Sequence, residues 1–388
     1  MSIMRHSAVA AAALLLGLGL TACGGNLTSG GSGGGGGSAA GGTINLGMLT
    51  PLTGSSSAIG PNMRGGAQLA VDEINAQGGV NGRKLALTVE DEACDPKTAA
   101  AGAAKLVSAG INIAVSGYCS SATLPTLSIF NKANIPMIIP AANSADLVAQ
   151  KLPNVFLLNG TGIQQAAAAA KFIKAQGSTS VALLDDNTSY STDITKRTAD
   201  DLKPLGVNVA TQQSVTAGES DYSGAVNAVM GSKADFVYWT GYYQEGGLLI
   251  KQLKAAGYQG KFMVADGSVD PKLIQIAGEP TAQGVFATMT QTPATISGGE
   301  AWIKNYQAKI GTAPGPYSTQ AYDAVRVAAE AVKMAGSTDG QAVTKALEQI
   351  NGFKIFSGSL KFTPEHTLSE GGFDILVVRG NDFALNKS

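Results

Sequence analysis

Two hydrophobic rhythms alternate along most of this chain. Short apolar runs give way to segments whose apolar residues recur every three or four positions, and the alternation repeats from Thr43 onward. Residues 44–49 read as a strand. Met63, Ala67, Ala70, Val71 and Ile74 then fall at offsets 0, 4, 7, 8 and 11, one face of a helix that Gly78-Gly79 ends. The same reading predicts strands at 84–90, 111–116 and 136–139, with helices at 96–108 and 123–132. After Gly162 the rhythm restarts: helices at 164–175, 192–202, 222–230 and 246–256 alternate with strands at 180–184, 207–213, 235–240 and 261–265. Three late helices follow at 299–310, 318–334 and 339–350, then a β-rich end over 353–385. Strand–helix–strand repetition specifies parallel sheets flanked by helices, and two such series in one chain specify an α/β protein of two lobes.

The first 42 residues break the rhythm. Arg5 precedes an uncharged stretch over residues 7–20, too short to span a membrane and suited to a signal peptide. Leu20-Thr21-Ala22-Cys23 looks like a bacterial lipobox, so residues 1–22 are expected to be removed and Cys23 to be lipidated. Residues 24–42 carry 11 glycines and no charge. They read as a flexible tether of about 20–25 Å end to end, lacking the strand, helix and lysine of a phosphate loop.

Composition narrows the function. The 388 residues carry 27 basic and 28 acidic side chains, for a net charge of -1 and no basic block, which excludes a nucleic-acid partner. Two histidines and three cysteines leave little material for a metal site, and no cofactor is expected. With Cys23 lipidated, Cys94 and Cys119 are the remaining thiols of an exported chain, and an oxidising compartment favours one bridge between them. The alternative is a reactive Cys119 with His366 as base, since His6 leaves with the signal peptide.

Ligands of open α/β sheets bind beyond the carboxyl ends of the strands, which directs attention to residues 50–63, 117–123, 140–146, 185–192, 241–247 and 266–271. Gly117-Tyr118-Cys119-Ser120-Ser121 opens a helix, where free N–H groups favour an anion, although Ser120 could simply cap that helix. Asp266, just past an apolar strand, could answer a cation. Asp185-Asp186 and Asp200-Asp201 are expected to be solvated faces or caps.

Several fragments together resemble the leucine/isoleucine/valine-binding proteins, type I periplasmic substrate-binding proteins of ABC importers. They are Asp91-Glu92-Ala93-Cys94-Asp95-Pro96, Cys119-Ser120-Ser121-Ala122-Thr123, Ile139-Pro140-Ala141-Ala142-Asn143, Thr216-Ala217-Gly218-Glu219, Asp235-Phe236-Val237-Tyr238, Phe262-Met263 before Asp266, and Ile276-Ala277-Gly278-Glu279. The resemblance implies a two-lobed Venus-flytrap fold, with lobe 1 over 43–161 and 290–369 and lobe 2 over 162–289 and 370–388. It also implies a disulfide between Cys94 and Cys119.

Carried over by position, the resemblance implies that Ser120, the Ala141 N–H and Asn143 (where the family often has threonine) grip a ligand carboxylate, while the Ala141 C=O meets the ammonium. Tyr190 and Tyr242 would cover the ligand from lobe 2, Asp266 would meet its ammonium where the family usually has glutamate, and Ile59 would line the side-chain pocket in place of an aromatic residue. The implied protein is not an enzyme. It is an extracytoplasmic monomer, lipid-anchored at the outer face of the cytoplasmic membrane or in the periplasm. It would bind a branched-chain or other aliphatic amino acid and feed ABC permease and ATPase subunits. The rival reading is a sensor of amino acids, amides or urea that signals to a membrane partner. A hydrolase is disfavoured, because the mature chain has one histidine.

Overall fold

The first sheet is built from five short strands: β1 (Ile44–Thr50), β2 (Leu85–Asp91), β3 (Ile113–Val115), β4 (Met137–Ile139) and β5 (Val155–Leu157). All are parallel, in the order β2-β1-β3-β4-β5. Parallel neighbours need crossovers, supplied by α1 (Ile59–Ala76), α2 (Pro96–Ser108), α3 (Ser120–Lys132) and the single turn α4 (Asp146–Ala149). The computed structural model describes residues 42–293, 295–296 and 298–387; the expected signal peptide, Cys23 and residues 24–41 of the tether lie outside them.

Burial follows the strand period on both faces. Ile113, Val115, Ile138 and Phe156 pack into one apolar cluster, while Ala114, Met137, Ile139, Val155 and Leu157 pack into another. Alternate residues therefore enter opposite helical layers, as a sheet covered on both sides requires.

The second sheet follows a capping box at Thr161 and Gln164 that starts α5 (Gly162–Ala175). Strands β6 (Ser180–Asp185), β7 (Asn208–Ser214), β8 (Phe236–Trp239), β9 (Lys261–Val264) and β10 (Phe286–Met289) are parallel. Between them run α6 (Ser189–Leu202), α7 (Ser223–Ser232), α8 (Tyr243–Ala255), α9 (Pro271–Ala277) and α10 (Glu279–Ala282). The chain then returns to the first lobe as α11 (Glu300–Ile310), α12 (Ser318–Ala335), α13 (Gly340–Gln349) and a hairpin of β11 (Asn351–Ile355) and β12 (Gly358–Lys361). It crosses once more to add β13 (Asp374–Arg379) and β14 (Asp382–Leu385) antiparallel beside β10. The second sheet thus reads β14-β13-β10-β9-β8-β6-β7, and the chain passes between the two sheets three times.

Close packing fixes the return helices on the first lobe. A Cβ on Gly66 of α1 would stand 1.9 Å from the Ser318 carbonyl oxygen, and one on Gly65 would stand 2.1 Å from the Tyr306 hydroxyl. Only glycine lets α1, α11 and α12 approach this closely.

The two-lobed α/β architecture matches the sequence reading. The pattern did not predict β5, β10, α4, α9 or α10, each at most seven residues long and too short for a periodic signal. Helices α3, α5, α6 and α8 also begin two or three residues before the hydrophobic pattern does, because their first turns are largely polar.

Candidate functional site

The carboxyl ends of β1, β2, β3 and β4 bring the first lobe's share of the site together. Gly117 (φ +112) turns the chain from β3 into α3, where a Cβ would press on Thr123 Oγ1 at 2.9 Å. Cys119 is the N-cap, so Ser120 lies in the first turn rather than capping it. The Ser120 hydroxyl is fully buried and accepts the Ser144 N–H at 3.3 Å. Ala141 is buried, and its carbonyl accepts Asn159 Nδ2 at 2.6 Å. Asn143 donates from Nδ2 to Gln165 Oε1 at 2.9 Å, while its Oδ1 has no partner among the described residues. Ile59, the first residue of α1, is buried in the apolar core.

The second lobe supplies Tyr190 from the first turn of α6, Tyr242 as N-cap of α8, and Asp266 just past β9. Asp266 is the centre of this group. Its Oδ1 accepts the Tyr190 hydroxyl at 2.5 Å and Gln165 Nε2 at 2.8 Å, and its Oδ2 accepts the Tyr317 hydroxyl at 2.6 Å. Burial raises its pKa above the usual carboxylate value, and the donors from Tyr190, Tyr317 and Gln165 pull it back. The Gly267 N–H donates to the Tyr190 hydroxyl at 2.8 Å.

Four aromatic rings fill the crevice. Tyr118, two residues before Ser120, packs against Tyr242 at 5.9 Å and edge-on against Tyr317 at 5.4 Å. Its hydroxyl reaches the Gly267 carbonyl at 3.4 Å. Tyr190 lies 5.3 Å from Tyr242. The lobe-1 helix start and the lobe-2 carboxylate are therefore joined through one side chain. Ser121 Oγ, which accepts the Ser189 N–H at 3.2 Å, and Asp193 Oδ2, which accepts the Ala145 N–H at 3.1 Å, add further bonds between the lobes.

Sequence reasoning missed Gln165, Tyr317, Tyr118 and Glu92 as members of this group. Tyr317 sits in a left-handed turn (φ 62) between Pro316 and α12, and no local sequence signal sets it apart. Gln165 follows the Thr161 cap and looks like any polar helix residue, yet it is fully buried and also donates to Thr288 Oγ1 at 3.0 Å. Glu92 is fully buried at the end of β2. Its Oε1 accepts the Cys119 N–H at 3.2 Å, and its Oε2 has no partner among the described residues. Burial pushes its pKa up to about 7 against the pull of the Cys119 and Tyr118 amides.

Cys94 and Cys119 form the expected disulfide, with Cα atoms 5.3 Å apart. The bond removes the reactive-cysteine alternative; His366 is elsewhere, stacked on Phe156 at 4.2 Å. Glu92, Cys94 and Cys119 bring a carboxylate oxygen and two sulfurs within 4.8 Å of one another, but the sulfurs are bonded to each other and cannot serve as thiolate ligands. Of the two expectations for Asp185 and Asp186, the structure favours caps over solvated faces: both are buried, Asp185 accepts the Asn187 N–H at 3.2 Å, and Asp186 accepts the Thr188 N–H at 3.0 Å and its hydroxyl at 2.6 Å. Asp200 does lie exposed, paired with Lys203.

The assembled site has a helix start, a buried hydroxyl, two buried carboxyl groups and four rings, with no nucleophile–base pair among the residues described. Such an arrangement can enclose a small polar molecule between two lobes.

Known proteins are similar to this chain in sequence and shape. The periplasmic binding protein family matches residues 43–381. The leucine-, isoleucine-, valine-, threonine- and alanine-binding protein of Pseudomonas aeruginosa is 31% identical over 334 residues, which cover 86% of this chain and 89% of that protein. Leu/Ile/Val-binding protein homolog 1 of Brucella abortus is 32% identical over 318 residues, covering 82% of this chain and 85% of that protein. Among solved structures, the branched-chain amino acid transporter substrate binding protein LivJ from Streptococcus pneumoniae, in complex with isoleucine, superposes with a TM-score of 0.81 at 24% identity, covering 89% of this chain and 100% of that one. A solute binding protein from R. palustris in complex with benzoate has a TM-score of 0.80 at 19% identity, covering 89% and 95%.

Proposed function

The chain belongs to the periplasmic binding protein family, and from that premise we propose that it captures an aliphatic amino acid between its lobes and delivers it to an ABC importer. Tyr118 carries the reading: it lies two residues from Ser120 and reaches Gly267 beside Asp266, so one closed crevice holds anchors for both ends of a zwitterion. In this reading the ligand carboxylate meets the start of α3, with Ser120, the Ala141 N–H and Asn143. The ammonium meets Asp266, exchanging places with one of its three neutral donors, and Tyr190 and Tyr242 close from the second lobe. In this reading Ile59 would line the side-chain pocket. The relatives' names support the amino-acid class.

Closure needs no chemistry on the ligand. A molecule that touches both lobes binds the closed state better than the open one, which is the differential affinity a population shift requires. The lobes would divide at residues 161/162, 289/290 and 369/370. Cys23, acylated and followed by the glycine-rich tether, would hold a monomer at a membrane surface, where permease and ATPase subunits accept the closed form. Calorimetry with the standard amino acids tests the site: Ser120→Ala and Asp266→Ala should each weaken binding by about 1–3 kcal/mol, and unchanged affinity in both removes it.

A further inference from the structure

We propose that Tyr118 caps the size of the ligand, so that the protein takes amino acids as small as glycine or alanine and rejects leucine, isoleucine and valine. The inference rests on the amino-acid reading above and narrows it.

The space beside the two anchors is occupied by rings. Tyr118, Tyr190 and Tyr317 are each at most 5% exposed. They close tightly on the backbone beside Asp266, where a Cβ on Gly267 would stand 3.0 Å from the Tyr190 ring and 3.1 Å from that of Tyr242. The side chain of leucine carries three carbons more than that of alanine, and among these rings it needs one of them to move aside. Tyr190 and Tyr317 are held through their hydroxyls to Asp266, and a bound ammonium replaces at most one of these ties. Tyr118 is held from behind instead. The next residue is Cys119, bonded to Cys94 and capping α3, so the Tyr118 backbone cannot retreat. Its ring comes from the same peptide segment as Ser120 and spans to Gly267, and it therefore stands where a side chain growing from a bound head group would extend. The lining is also polar for an aliphatic pocket: tyrosine hydroxyls, Gln165 and Asp266 line this part of the crevice, and burying a branched chain among them desolvates groups that it cannot pair.

Titration of the full mature chain with glycine, alanine and leucine tests this, repeated on Tyr118→Leu and Tyr118→Ala. The expected result is alanine bound about tenfold or more tighter than leucine by the wild type, with the ratio moving about tenfold or more towards leucine in the variants. Leucine bound by the wild type as tightly as alanine overturns the size limit and leaves the amino-acid reading standing. That measurement decides whether or not either variant folds. An unchanged ratio in two folded variants assigns the limit to another residue and overturns the role of Tyr118. If none of the three ligands binds, the amino-acid reading falls and this inference falls with it.

Discussion

The Tyr317 hydroxyl donates to Asp266 Oδ2 at 2.6 Å, a bond that runs from the start of α12 on the first lobe to the end of β9 on the second. A second route joins the same carboxylate to the first lobe, from Asn143 through Gln165. Asp266 is thus both an acidic group of the candidate site and one of the places where the lobes are tied.

Removing one tie should loosen closure. Tyr317→Phe keeps the ring and deletes the donor, so Asp266 Oδ2 loses its bond. We expect a larger radius of gyration by small-angle scattering without ligand, and ligand affinity lower by about 1–3 kcal/mol. An unchanged radius would mean that this bond does not hold the lobes together.

Glu92 should make stability fall as pH rises. Its carboxyl is raised from 4.5 to about 7 in the folded state. Between those values the folded chain keeps a proton that the unfolded chain has lost. Folding stability therefore declines with rising pH across that window, by about 3 kcal/mol in all. Glu92→Gln is neutral throughout and should flatten this decline, leaving the variant more stable than the wild type at pH 8. Urea unfolding at pH 5 and pH 8 measures it; equal slopes in both proteins would count against the raised pKa.

The disulfide should contribute through the unfolded chain. Its loop of 25 residues corresponds to about 3.5 kcal/mol of lost chain entropy. Reduction should lower the unfolding free energy by about that amount. Thiol titration of the denatured, unreduced mature protein should find neither Cys94 nor Cys119 free.

Gly66 should resist substitution more than an ordinary helix glycine. Elsewhere on a helix alanine is preferred to glycine, but here the new Cβ meets the Ser318 carbonyl oxygen. Gly66→Ala should cost about 1–3 kcal/mol through overpacking, read as a lower urea midpoint. A stabilised variant would show that α1 and α12 can separate freely.

Cys23→Ser should move the protein from the membrane to the soluble fraction on cell fractionation. Retention of the variant with membranes would argue for an anchor other than lipid.

The sequence pattern exposed most of this fold, because buried parallel strands and amphipathic helices leave periodic marks. It was weakest at the site for a related reason. Ser120 and Tyr190 lie in first helical turns, where the side chains serve caps and ligands instead of the core and the periodic signal has not begun. Resemblance supplied their roles, and composition supplied the disulfide. Gln165 and Tyr317 had no local mark at all: their importance comes from Asp266, 101 and 51 residues away in the chain, and only the closed fold brings them there. Glu92 was readable as a motif letter, but its burial was not.

The position of β13 and β14 makes the second sheet depend on the end of the chain. Strand β10 ends at Met289, and its partner β13 begins at Asp374, after the intervening chain has gone to build the other lobe. The second sheet is therefore completed only when nearly the whole chain is present, and a product truncated before residue 374 would leave the outer edge of β10 as an unpaired strand, open to pairing with other chains.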